Sequence, residues 1–351
     1  MINVMKPRMP RANDVLPYLQ QIDDTGVYSN FGPLSSALIS RLASYFGVTE
    51  DCMVLMSNAT LALQGSLSVL SSNGAGKNVV MPSWTFTASA SAAVLAGLNV
   101  EFADIDEEWR VNTKLDDEFV LDVLPFGEGL RDQSTNRLAE KWQVIDGAAS
   151  FDALQGAAIN ISEKSILVVS MHATKLLGAG EGGICITGSA EVAKELKAWS
   201  NFGFNGSRDS KSIGTNSKLS EYSAAVALAS LDLWSETKKI LGDGMKKAIA
   251  VSKACNLPTI SSMSKNYISP YWIVNFDSRL HRDGALERLR LNEIETRTWW
   301  GSGCHTMSAY RDIRCRDLQN TEWAAATSLG LPFHSYLTDS DYEIIQKVLK
   351  S

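Results

Sequence analysis

Between about residues 50 and 240, short apolar runs alternate with segments whose apolar residues recur every three or four positions. Few folds accommodate that alternation. Each run reads as a strand and each periodic segment as a helix packed across it, the pattern of a largely parallel sheet with helices on both faces. The strand runs are Cys52 to Met56, Asn78 to Met81, Val100 to Ala103, Phe119 to Leu124, Val144-Ile145, Ile166 to Val169 and Ile184 to Thr187. Helices are predicted over 12–24, from Leu34 to Phe46, from Ala59 to Leu70 and from Thr87 to Leu98. A long helix from Lys218 to Ile249 bridges to a second unit, which holds a strand (Tyr271 to Phe276) and helices near 282–291, 321–329 and 338–350. This reading divides the chain into a large domain with an N-terminal arm (1–245) and a small C-terminal α+β domain (246–351).

The 351 residues suffice for two cored domains. A net charge of −6, with no basic stripe, argues against a nucleic-acid partner. No apolar run approaches the length of a membrane span, and none follows Lys6, Arg8 and Arg11, so neither a membrane anchor nor a signal peptide is expected. The five cysteines form no C-x-x-C, which fits a reducing, cytoplasmic setting. The four histidines lack metal-ligand spacing, so no metal is expected.

In such sheets ligands sit off the carboxyl ends of the strands. Asn58, Ser83 to Phe86, Asp146 and Ser170 to Lys175 all follow predicted strands. The stretch from Ser170 through Lys175 to Gly183 carries a G-x-G-x-x-G at Gly178, Gly180 and Gly183, but it leads into a strand and not a helix. That excludes a dinucleotide fingerprint and favours a tight connection using positive φ. Taken singly, Lys175 reads as a solvated charge and Asp146 as a turn residue before Gly147. Together they suggest more. A buried lysine, its pKa lowered by burial, can bond an aldehyde cofactor, and a carboxylate on the far side can partner a ring nitrogen. The cofactor expected is pyridoxal 5′-phosphate. Asn58-Ala59-Thr60 opens a helix after a strand, where an anion is favoured, although Asn58 can equally be a plain N-cap. Ser170 offers a hydroxyl to the same phosphate. Phe86 or Trp84 can lie on the ring, or both can be core.

These segments resemble the DegT/DnrJ/EryC1/StrS family of sugar aminotransferases nearly end to end. The likeness covers Asn30-Phe31-Gly32-Pro33, Asn58 to Leu63, Pro82-Ser83-Trp84-Thr85-Phe86, Phe102 to Asp106 and Ile145-Asp146-Gly147-Ala148-Ala149. It continues through Ser170-Met171-His172-Ala173-Thr174-Lys175 with Gly180-Glu181-Gly182-Gly183, then Gly214 to Glu221 and Leu331 to Leu337. The resemblance implies the type I aminotransferase fold. It implies that Lys175 bonds the cofactor, that Asp146 pairs with its ring nitrogen and that Phe86 stacks on the ring, with Trp84 second. Ala59, Thr60 and Ser170 would hold the phosphate, and Asn216 would reach it from the other subunit of a homodimer with shared sites. Tyr28, Asn30, Trp84 and His172 would border the substrate. Ala149 stands where the family often has glutamine or histidine, which leaves one cofactor hydrogen bond in doubt. Relatives that remove a hydroxyl have histidine at the lysine position, so Lys175 favours amination. The implied reaction takes an amino group from L-glutamate to a nucleotide-linked 4-keto-6-deoxyhexose (dTDP-linked), for an amino sugar of surface polysaccharide. A 3-keto sugar, a keto-cyclitol or a non-catalytic cofactor-binding regulator are the alternatives.

Overall fold

The computed structural model describes residues 1–131, 138, 140–157 and 161–351. Its main sheet runs β1 (Met53–Met56), β7 (Gly183–Thr187), β6 (Ser165–Ser170), β5 (Trp142–Asp146), β4 (Phe119–Val123), β2 (Asn78–Pro82), β3 (Asn99–Ala103) and β9 (Arg314–Cys315). Only β7 runs against its neighbours; the other pairings are parallel.

Side-chain alternation along the strands builds a core on each face. Leu167 and Val169 of β6 meet α1 (Ala12–Thr25), α2 (Pro33–Phe46) and α6 (Glu221–Asp232). Ile166 and Val168 meet α3 (Ala59–Leu70), α4 (Thr87–Leu95) and α5 (Ala190–Trp199). The parallel sheet covered on both faces is therefore present. Asp146 shares parity with Val144, and Ser170 with Val168, so both belong to the α3/α4 face.

The C-terminal unit pairs β8 (Trp272–Asn275) antiparallel with β10 (Ser328–Leu331) and surrounds them with α7 (Trp234–Ala254), α8 (Arg279–Leu291), α9 (Gln319–Thr327) and α10 (Asp339–Lys350). The expected helix from Lys218 to Ile249 is two helices. The chain first extends, with Lys218 bridged to Met56, and Ser220 then caps α6. At Leu233 (φ −87°, ψ −5°) the path turns into α7, and Trp234 buries edge-on against Phe151. Residue 245 lies within α7, so no linker marks the expected division. The helix expected over 321–329 ends at Thr327, because Ser328 to Leu331 pair with β8.

Candidate active site

Three sheet connections meet at one corner. Ser170 ends β6 and lies opposite Gly183, the first residue of β7. A Cβ on Gly183 would come within 2.6 Å of the Asn58 carbonyl oxygen, so only glycine lets β7 approach the start of α3 this closely. Asn58 caps α3 by accepting from Leu61 N (2.9 Å). Ala59 and Thr60 fill the first helical positions, whose N–H groups have no acceptor within the helix. Ser170 is buried, and its hydroxyl accepts from His172 N (3.2 Å). Between them the turn carrying Lys175 closes with Gly180 at φ +82°, the positive angle its glycines imply. Gly178 packs so tightly that a Cβ there would lie 2.7 Å from Met9 Sδ of the N-terminal arm.

Asp146 ends β5 and is 7% exposed. Ser89, one turn into α4, donates to its Oδ2 (2.6 Å), and Ala148 N donates to Oδ1 (3.0 Å). Burial pushes this carboxyl above its ordinary range; Ser89, Ala148 and Lys175 pull it down without cancelling that rise. Lys175 is half-buried, and its Nζ donates to the Tyr271 hydroxyl (3.0 Å). Here the expected downward shift is overturned. Burial lowers the amine's pKa, but the Tyr271 oxygen and then Asp146 outweigh it and hold the ammonium above its ordinary value.

The other expected residues separate into groups. Phe86 stands at the N-cap of α4, 61% exposed and one turn from Ser89. Trp84 is 1% exposed, edge-on to Trp109, Phe126 and Trp300 at 5.0–5.8 Å, with its indole N–H toward the Gly301 carbonyl (3.4 Å). It packs as core, the alternative the sequence reading left open for it. His172 is partly exposed on the lysine turn, its Nδ1 paired with the Thr174 hydroxyl (2.9 Å). Asn216 is exposed beside the start of α3, where Ser217 O accepts from Ser57 N (2.7 Å). Tyr28 and Asn30 form an exposed loop remote in sequence from the lysine. Glu221, fully buried, pins the end of that loop by accepting from Leu34 N (2.6 Å) and Ser35 N (3.0 Å).

Sequence reading missed Tyr271 and Ser89 as site residues. Ser89 sits three positions after Phe86, and helical spacing can place it on the same side. Nothing local marks Tyr271, which arrives from 96 positions away.

The residues fit pyridoxal phosphate. Among the described residues the buried carboxylate hydrogen-bonds only a hydroxyl and an amide, with an amine near enough to feel its charge. A helix start with free N–H groups and a buried serine adjoin them. Fold and site are those of a pyridoxal-phosphate-dependent aminotransferase of type I.

A family model for the DegT/DnrJ/EryC1/StrS aminotransferase family matches residues 11–350, and the chain belongs to that family. It is 25% identical to the dTDP-4-amino-4,6-dideoxy-D-glucose transaminase of Shigella dysenteriae, over 99% of this chain and 98% of that protein. It is 24% identical to the UDP-2-acetamido-2-deoxy-3-oxo-D-glucuronate aminotransferase of Pseudomonas aeruginosa, over 97% of each. Among solved structures it is similar to DesI, crystallised in the presence of its TDP-sugar product (TM-score 0.85, 27% identity, 99% of this chain and 92% of that one).

Proposed function

We propose that the enzyme transfers the amino group of L-glutamate to a nucleotide-linked 4-keto-6-deoxyhexose, dTDP-linked, giving the 4-amino sugar. The observation that carries the aminotransferase chemistry is the convergence of the Lys175 amine and the buried Asp146 carboxylate at the carboxyl ends of adjacent parallel strands. The sugar assignment draws on the Shigella transaminase and DesI, whose names carry dTDP- and TDP-sugars. The Pseudomonas relative, named for a 3-oxo sugar, makes the keto position the point to test.

Pyridoxal phosphate, when bound, supplies an aldehyde carbon to carry the amino group and a ring to take up electrons. In this reading Asp146 sets its charge against the ring nitrogen, and the buried Ser89 hydroxyl fixes the carboxylate's orientation. Phe86 would pack against the ring. The Ala59 and Thr60 amides and the Ser170 hydroxyl would hold the phosphate. Lys175 would hold the cofactor through Nζ, and the same amine is placed to hold or move a proton. Tyr28, Asn30 and His172 border the sugar. Asn216 reaches the phosphate of the neighbouring subunit in a homodimer with shared sites. Among the described residues no helix is long and apolar enough to cross a membrane, and we place the enzyme in the cytoplasm.

The test is a panel of 3-keto and 4-keto nucleotide sugars and a keto-cyclitol, offered with L-glutamate to the cofactor-loaded protein. A visible absorption band bleached by glutamate, with amination of the 4-keto sugars, is expected. Lys175→Ala is expected to lose the band and to lower turnover at least about a thousandfold. Preference for a 3-keto sugar or cyclitol would replace the substrate assignment. A coloured protein inert toward every member would leave the regulator reading instead.

A further inference from the structure

The Lys175 amine makes one hydrogen bond to a side chain among the described residues, and the partner comes from the other unit of the fold. Tyr271 directly precedes β8, and its hydroxyl lies 3.0 Å from Nζ. That hydroxyl has been built into place. The ring is 8% exposed and held edge-on by Trp299 at 4.9 Å and Phe126 at 5.8 Å. The backbone is fixed as well. The Ser269 hydroxyl lies 3.0 Å from the carbonyl oxygens of both Phe126 and Tyr271 and can donate to either. Pro270 packs so closely on Gly127 that a Cβ there would lie 2.4 Å from Pro270 Cδ. Phe126 in turn stacks on one further aromatic of the wall, Trp300, at 4.4 Å, and both have positive φ (52° and 61°). Bulky residues rarely adopt such angles, and they persist where surrounding packing enforces them. A phenol held this firmly meets a lysine whose work requires it to let go of one partner and return.

We propose that Tyr271 is a positioning residue for the transamination, holding the Lys175 amine in place whenever that amine is not bonded to the cofactor. A phenol suits the task because it accepts from an ammonium and donates to a neutral amine, so the contact survives a change of charge on Nζ. The proposal rests on the reading of Lys175 as the cofactor lysine. The charged and titratable groups facing Nζ are Tyr271 and Asp146, with Lys6, Arg8 and His334 across a neighbouring cavity of about 50 Å³. Tyr271 is the one among them that bonds the amine.

The test compares wild type, Tyr271→Phe and Trp299→Phe, full-length, with Lys175→Ala as reference. Tyr271→Phe removes the hydroxyl and keeps the ring and its edge-on contacts, and Trp299→Phe serves as the packing control. Two quantities are read. One is kcat with KM for donor and acceptor. The other is the pH midpoint at which cofactor-free protein captures pyridoxal phosphate, followed by the visible band. Tyr271→Phe is expected to lower kcat roughly tenfold to a hundredfold, the effect of one hydrogen bond to a charged group, with a smaller change in KM. Its capture midpoint is expected to move to lower pH, because the oxygen that holds the ammonium up is gone. An unchanged kcat and midpoint overturn the proposal, as does an equal midpoint shift in Trp299→Phe. If Lys175→Ala captures cofactor as wild type does, the reading of the lysine fails and this proposal with it. A normal wild-type band with an indifferent Tyr271→Phe sinks the tyrosine alone.

Discussion

Two aspartates sit on neighbouring strands, one position out of register: Asp122 on β4 faces Ile145, and Asp146 on β5 faces Val123. The offset sends them to opposite faces of the sheet. Asp122 is 1% exposed and spends its charge on Arg110, itself 3% exposed, whose Nε reaches both carboxylate oxygens at 3.1–3.2 Å. Nη1 of the same guanidinium donates to the Gly129 carbonyl (3.2 Å). That pair is closed. Asp146 is buried too but hydrogen-bonds a hydroxyl and an amide, with the Lys175 amine felt only through its charge, and burial leaves its carboxyl raised. A buried acid with its cation already in hand is structure; one kept short of a cation is prepared for a ligand that brings one.

Removing each charge separates the two roles. Asp146→Asn is expected to lower turnover by about 10²–10³-fold, the usual cost of losing one preorganised electrostatic partner, with little change in stability. The asparagine oxygen still accepts from Ala148 N, and its amide can donate to Ser89. Asp122→Asn is expected to do the reverse. It strands the Arg110 guanidinium in the interior, costing about 3–5 kcal/mol of stability by denaturant unfolding, while turnover per folded molecule stays near wild type. Equal effects of the two variants on either measurement would break the contrast. Ser89→Ala sharpens it at smaller scale: without the hydroxyl at 2.6 Å, turnover is expected to fall about tenfold. Ser89→Thr, which keeps a hydroxyl, is expected to restore most of it.

The same pair shows what was legible in the sequence. The parallel sheet could be read because its strands are short apolar runs bounded by turns, and Ala59–Leu70 has the expected bounds because Asn58 is a cap and the next strand follows closely. Asp146 and Lys175 stood out because both fall at the carboxyl ends of strands, Asp146 as the last residue of β5 and Lys175 in the turn that follows β6. Asp122 lies inside a strand, in a run predicted only as a strand, and its partner becomes visible when a turn folds Arg110 back onto β4. Tyr271 was hidden for a like reason, since its partner is 96 positions away and Pro270-Tyr271 resembles any strand entry. The choice between core and site for Trp84 stayed open because sequence cannot show that Trp109, Phe126 and Trp300 close around it. The break at Leu233 was missed because apolar periodicity continues through it, while burial of Trp234 decides the turn.

The smallest expected effect tests the sign of the Asp146 shift itself. Its pKa in the folded, cofactor-free protein lies above the ordinary 3.8. Below 3.8 both folded and unfolded chains keep the proton, and the carboxyl costs nothing. As pH rises through 3.8 the unfolded chain ionises first, so folding is disfavoured, and the penalty is complete above the raised folded value. Cofactor-free wild type is therefore expected to be slightly less stable than Asp146→Asn at neutral pH, with the gap closing below 3.8. Loading pyridoxal phosphate is expected to favour wild type over Asp146→Asn, because only the carboxylate answers the cofactor's charge. A gap of opposite sign in the cofactor-free proteins, wild type being the more stable at neutral pH, would mean that Asp146 is already satisfied as Asp122 is. The distinction between the two faces of the sheet would then disappear.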